Sequence, residues 1–181
     1  MIMELGSAEY WRLFDFQHTA FRLEVHQLYR GDDETGPLRD FIAGRPCPAL
    51  PGKDAWVARV SAAHAAGKVM RRVHAATEPL TPYMQMELAW SYPPNVRAGE
   101  DIRILRAAPG DPVLSETDFW LFDSRTLLQY TYDEGRLARV ELVADPAEIV
   151  RANWLRDAAA HGAVPLRDYL RWHDGLVQRA S

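Results

Sequence analysis

The hexapeptide Asp118–Asp123, DFWLFD, constrains the fold more than any other segment of this chain. At period two it puts Phe119 with Leu121 on one face and Trp120 with Phe122 on the other, so a strand here must be covered on both sides. TAFRLEVH at Thr19–His26 follows the same period with a difference: Phe21, Leu23 and Val25 face one way, Arg22, Glu24 and His26 the other. Charge is thereby carried into a strand that reads as sheet interior. Arginine and glutamate are seldom buried without partners, so Arg22 and Glu24 are expected to be structural, at least partly buried and paired with charges on neighbouring strands.

Further alternation predicts strands at Lys68–Ala76, Asp101–Leu105, Leu127–Tyr132 and Leu137–Val143, and the turns at Asp123–Arg125 and Asp133–Gly135 make the last strands an antiparallel meander. Helix signals alternate with them. Ser7 can cap a helix to about Phe16, and a short helix is expected over Pro37–Ala43. An alanine-rich helix runs from Asp54 to Ala66 with Gly67 as its stop. Thr81-Pro82 and Asp145-Pro146 pair a capping side chain with a proline at the first helical position. They open helices that should run to about Ser91, where Pro93-Pro94 stops the first, and to about Ala160; Pro165 opens a last one. The reading is a single α+β domain over residues 1–181: a mainly antiparallel sheet of about five or six strands packed with helices, with helices at the C-terminal end.

Composition narrows the classes of function. With 25 acids against 21 bases the net charge is −4, which gives no general attraction to phosphate backbones, so direct binding to duplex DNA is not expected. The start, MIMELGSAEYWRLF, lacks a basic leader followed by a long apolar run, and no window approaches the ~20 apolar residues of a membrane span; no membrane association and a cytoplasmic location are expected. Cys47 is the single cysteine, which excludes an internal disulfide and a multi-cysteine zinc site.

The chemistry is concentrated in Arg71–Leu105. On the helix from Pro82, Tyr83, Met86, Glu87 and Trp90 fall at i, i+3, i+4 and i+7, so a carboxylate stands in an aromatic stripe. On the preceding strand Arg71 shares a face with Val69 and Val73, and Arg72 shares the other with His74. Arg71, Arg72 and His74 can bind an anion, or can pair internally with Glu24, Glu78 or Glu87. The site, if these residues form one, is expected between that helix and that strand. Glu100 and Asp101 are adjacent on a strand and point to opposite faces, which argues against a metal; no metal and no cofactor are expected.

The segments HTAFRLE, RRVH, EPLTPYMQMELAW, AGEDIRIL and DFWLFD resemble, in order and over about Phe14–Leu170, the DUF6879 family, an uncharacterised group from actinobacteria. That resemblance transfers no reaction. It implies a neighbourhood of helix-turn-helix regulators, and hence a regulatory or partner-binding role. Two functions follow as expectations. One is a non-catalytic binding module, either a regulatory partner of a helix-turn-helix transcription factor or a sensor of a small anionic ligand. The other is a small metal-independent enzyme acting on a compact polar metabolite, with Glu87 or His74 as the acid–base group and Arg22, Arg71, Arg72 and Arg103 as anion clamps beside Tyr83 and Trp90.

Overall fold

The computed structural model describes residues 1–173. Its strands are β1 (Ile2–Met3), β2 (Thr19–Glu24), β3 (Val69–Ala76), β4 (Asp101–Arg106), β5 (Asp118–Phe122), β6 (Thr126–Asp133), β7 (Arg136–Val143) and β8 (Val164–Pro165). All eight lie in one sheet, ordered β1-β7-β6-β5-β2-β3-β4-β8. The α+β class is as the sequence implies, but the sheet is larger and mixed. The additional strands, β1 and β8, are two residues each at the two edges, too short for any periodicity to show. At the centre β2, β3 and β4 run parallel, which turns and local alternation cannot reveal because parallel neighbours are joined through long helical crossovers.

Those crossovers are α2 (Asp32–Ile42) and α3 (Lys53–Ala65) between β2 and β3, then α4 (Pro82–Met86), a π-helical turn at Glu87–Ser91 and α5 (Tyr92–Ala98) between β3 and β4. They join α1 (Ala8–Arg12) on one face of the sheet. Ser7 and Thr81 cap α1 and α4 as expected, their side-chain oxygens accepting from Tyr10 N and Met84 N at 3.1 Å each. Pro93-Pro94 does not stop the helix. Prolines in the first turn of α5 lack the N–H groups that a continuous α-helix would use, and the chain absorbs them by widening: Tyr92 N–H bonds to Glu87 O, five residues back.

The opposite face is covered by α6 (Pro146–Gly162), whose Ala152, Leu155 and Ala159 pack on Phe21, Leu23, Val73, Phe119, Leu121 and Leu127. On the crossover face the core divides into two. One cluster gathers Phe14, Met70, Trp120, Phe122 and Leu128 under α1 and α3. The other gathers Met84, Leu88, Trp90, Ile102 and Ile104 under α4, the π turn and α7 (Leu166–Leu170), where Tyr169 is fully buried. Between them the sheet face is charged.

The meander forms as the turns imply. Asp123 and Ser124 both have positive φ in the β5–β6 connection, and Glu134 and Gly135 do in the β6–β7 hairpin, the backbone that a tight two-residue hairpin requires. Pairing of Thr131 with Arg139 but Tyr132 with Leu137 leaves Ala138 as a bulge. The extra residue moves Leu137 onto the same face as Tyr132, toward the charged seam.

Candidate functional site

Two adjacent rows of side chains make the seam. Arg22 on β2 stands in register with Trp120 on one side and Arg72 on the other, and Glu24 is in register with His74. Asp118 and Glu24 thus lie one row beyond the paired arginines. Burial is severe: Arg22 is 5% exposed, and Asp118 and His74 are 0% exposed.

Glu24 is the hub. Its Oε1 accepts from Arg22 Nε at 3.3 Å and its Oε2 from Arg72 Nη1 at 2.7 Å. Arg72 Nε donates to Glu100 Oε1 at 2.9 Å, and the other oxygen of Glu100 accepts from Trp56 Nε1 at 3.1 Å. Arg22 Nη2 donates to Asp118 Oδ2 at 3.1 Å, and Asp118 also accepts from Tyr29 OH at 2.6 Å and Val25 N at 2.9 Å. Burial opposes the charge on Glu24, but Arg72 and Arg22 outweigh it and hold its carboxyl well below the usual range. Asp118, with one arginine and deeper burial, is pushed up instead. Aromatic rings cover the cations: Arg22 lies 4.2 Å from the Tyr130 ring centre, and Arg72 lies between Tyr92 and Trp120 at 5.6 and 5.8 Å.

His74 is locked into this arrangement. Its Nε2 is 2.8 Å from the His26 carbonyl, which can only accept, so Nε2 carries a hydrogen; Nδ1 is 2.6 Å from Tyr92 OH. Tyr92 OH is also 3.2 Å from Glu24 Oε2, so with a neutral ring one hydroxyl proton faces two acceptors. An imidazolium would complete the chain from His74 through Tyr92 to Glu24, but burial pushes His74 below its ordinary 6.5, against the pull of Glu24.

A cleft reaches this seam in two chambers that share Glu24, Arg72 and Glu87 as walls. The larger one, about 520 Å³, adds Tyr29, Tyr83 and Tyr132 and has Arg30 and Arg136 on its lining. The smaller one, about 260 Å³, lies between α1 and α3 and is lined by Trp11, Trp56, Trp120, Arg22, Lys53 and Asn95 among others. Lys53 Nζ donates to Ser91 O at 2.9 Å and Asn95 Oδ1 at 3.3 Å, and burial lowers its pKa against the pull of Glu87. Arg22 is on the lining of the smaller chamber, and its Nη1, buried behind that lining, has no hydrogen-bond partner among the described residues.

Of the residues the sequence singles out, Arg72 and Glu87 line both chambers, Tyr83 lines the larger one beside the α4–π segment, and Arg22 lines the smaller one. Four other candidates stand elsewhere. Arg71 and Arg103 point to the opposite face of the sheet, where both hold Asp101, Arg71 at 2.6 Å and Arg103 at 3.1 Å; period two separates them from Arg72. Trp90 packs edge-on against Phe41 at 5.0 Å, because the π turn rotates the residues after Glu87 and presents Tyr92 to the seam instead. His74 contacts Tyr92 and a carbonyl but lines neither chamber.

Reading the sequence alone passed over Asp118, Glu100, Lys53, Trp56 and Tyr130 as members of this site. For Asp118 a signal existed: a carboxylate opening a strand that is apolar on both faces needs a buried donor set. Glu100 had one too, since it alternates with Asp101. Nothing local marks Lys53 or Trp56. Among the described residues no group of three or more His, Cys, Asp or Glu side chains is placed to hold a metal ion, and no helix is long and apolar enough to cross a membrane.

The chain belongs to the family described as a domain of unknown function (DUF6879), whose model matches residues 8–171. No curated protein matches it.

Proposed function

We propose that this protein is a binding module for a small polar ligand, a sensor whose site is the two-chambered cleft over the charged seam. The observation that carries the reading is the convergence of Arg22, Lys53, Arg72, Glu24 and Glu87 on the lining of one cleft. Behind that lining, Arg22 Nη1 is buried and has no hydrogen-bond partner among the described residues, whereas Arg22 Nε and Nη2 and Arg72 Nε and Nη1 all bond to carboxylates. A buried donor left unmade costs about 1–3 kcal/mol, more when charged, so the seam is not built for stability alone. The larger chamber, at about 520 Å³, falls within the roughly 300–1,000 Å³ that suits small molecules.

The regulatory half of the proposal is that occupancy of the cleft is passed to a protein partner, a helix-turn-helix regulator being the candidate that the family resemblance suggested. Val150 and Trp154, one turn apart on the outer side of α6 and 69% and 67% exposed, support a partner-binding surface. A cytoplasmic location belongs to the same proposal.

A second reading, a metal-independent enzyme acting on a compact polar metabolite, is favoured by one observation: Glu87 sits on the π turn and lines both chambers, where an acid–base group would have to be. His74 is too deep for that role.

The test is a thermal-shift screen of the full chain against nucleotides, amino acids and phosphorylated metabolites. A compound at ~100 times its Kd adds about 2.7 kcal/mol. A hit that also moves the Arg22 and Arg72 Nε resonances supports the site, and turnover of that hit, lost in Glu87→Gln, selects the enzyme. If no compound shifts melting or those resonances, the binding reading fails.

A further inference from the structure

Arg22, Lys53 and Arg72 are the basic side chains on the lining of the smaller chamber. The two arginines keep their protons in any folded protein, so Lys53 alone can give one up. The chain has just two lysines, Lys53 and Lys68. Lys53 opens α3, where Gly52, at φ 68°, turns the chain into the helix without a side-chain cap, so its charge is carried at the positive end of a 13-residue helix. From there the side chain reaches the π turn and α5 and is held by two neutral acceptors, Ser91 O at 2.9 Å and Asn95 Oδ1 at 3.3 Å. Two acceptors match the two hydrogens of a neutral amine and leave its lone pair free; an ammonium has a third hydrogen to place. Neither acceptor is a carboxylate that would hold the proton on. Burial, opposed by Glu87, Glu100 and Glu24 and helped by Arg72, brings the pKa below the ordinary 10.5. A partly desolvated lysine beside a guanidinium is the arrangement that makes an amine a nucleophile near neutral pH.

We infer that Lys53 is a carbonyl-capturing amine and that the smaller chamber takes a planar aldehyde, which condenses with its Nζ. The lone pair of Nζ attacks the aldehyde carbon, and one amine hydrogen passes to the oxygen to give a carbinolamine. The nitrogen then expels that oxygen, which takes the second amine hydrogen and leaves as water, and a C=N bond remains. No oxidant or reductant is involved. The indole walls of the chamber, Trp11, Trp56 and Trp120, suit a flat conjugated ring better than an aliphatic chain. The inference rests on the reading of the cleft as a ligand site and adds a covalent step to it.

The experiment treats the full chain with pyridine-4-carboxaldehyde or with butanal, each with cyanoborohydride to trap the imine. Peptide mass mapping follows Lys53, Lys68 and the N-terminal amine, folded near neutral pH and unfolded in guanidinium chloride. Lys68 is the reference, since it is likewise half-buried and bonded to a carbonyl, Phe16 O. The expected result is that folded Lys53 traps pyridine-4-carboxaldehyde at least about 10-fold faster than Lys68, that the two lysines react alike when unfolded, and that Lys53 labelling rises at lower pH than Lys68 labelling. Butanal should show a smaller preference for Lys53. Lys53→Arg, which keeps a donor for Ser91 O, should melt like the parent, lose this adduct and leave labelling of Lys68 and the N-terminus unchanged. Lys53 labelled no faster than Lys68 in the folded chain overturns the inference and leaves Lys53 a tie between α3 and the π turn. An equal preference for butanal overturns the planar class. A compound without a carbonyl group that shifts melting while Lys53 stays unreactive keeps the cleft as a ligand site and removes the amine chemistry; if no aldehyde is trapped and no compound shifts melting, both readings fall.

Discussion

Arg22 and Arg72 face each other in register on the parallel strands β2 and β3, and a single carboxylate, Glu24, is bonded to both. Two buried cations side by side would repel each other strongly in a medium less polar than water. The fold tolerates them because acids flank the pair on three sides: Asp118 beyond Arg22, Glu24 between, Glu100 beyond Arg72. The same grouping borders the cleft, so the side chains that carry stability are also those proposed to meet a ligand.

Glu24→Ala should therefore be among the most damaging single substitutions in the protein. It strips both arginines of a shared partner in the interior, a change that typically costs roughly 3–5 kcal/mol, a large part of an ordinary domain's stability. Urea unfolding of the variant beside the parent measures it; a loss below about 1 kcal/mol would show that the hub is not structural.

The neighbouring positions 71 and 72 should behave oppositely. Arg72→Ala leaves the buried Glu100 without its cation and Glu24 with Arg22 alone, whereas Arg71→Ala removes a partly exposed pair with Asp101, which Arg103 also holds. Expected losses are roughly 3–5 kcal/mol for the first and about 1 kcal/mol or less for the second. Equal losses would contradict the face assignment of β3.

The pH dependence has a defined sign at His74. Burial lowers its pKa below the ordinary 6.5, so just below that value the unfolded chain takes up a proton that the folded protein refuses. Stability contributed by the neutral ring is full above the unfolded value and is lost as pH falls toward the folded one, with a slope of at most about 1.4 kcal/mol per pH unit. Glu24 adds a loss at still lower pH, because its carboxyl is held down in the fold; Asp118, pushed up, works against it. Comparing His74→Gln with the parent across pH 5 to 7 isolates the first effect, and an unchanged slope in the variant would assign it to another group.

Duplex DNA should not be retained by the isolated protein. Non-specific binding scales with the phosphates neutralised, and 25 acids against 21 bases leave repulsion dominant. Mobility shift of a random duplex at physiological salt checks this; salt-sensitive retention at micromolar protein would contradict it.

What the sequence determined by itself is local. Ser7, Thr81-Pro82 and Asp145-Pro146 place helix starts because a cap and a proline act within one turn. The alternation in TAFRLEVH and DFWLFD assigns each side chain to a face because the strand period is two. The burial and pairing of Arg22 and Glu24 were legible for the same reason, since a charge flanked by core residues on an interior strand must find a counter-charge. Tertiary structure decided which counter-charge. Asp118 comes to Arg22 from 96 residues away, and Glu100 comes to Arg72 from 28 residues away. The parallel pairing that sets Arg22 beside Arg72 depends on two helical crossovers rather than on any turn. The helix through Glu87 shows the boundary most clearly. Its start was written in Thr81-Pro82, but whether Pro93-Pro94 ended it or widened it depended on packing against Phe41 and the sheet, and the one-residue π insertion sent Trp90 into the core and Tyr92 to the seam. Period and capping act over a few residues, whereas a cleft is made where distant segments are brought together by burial, which has no direction along the chain.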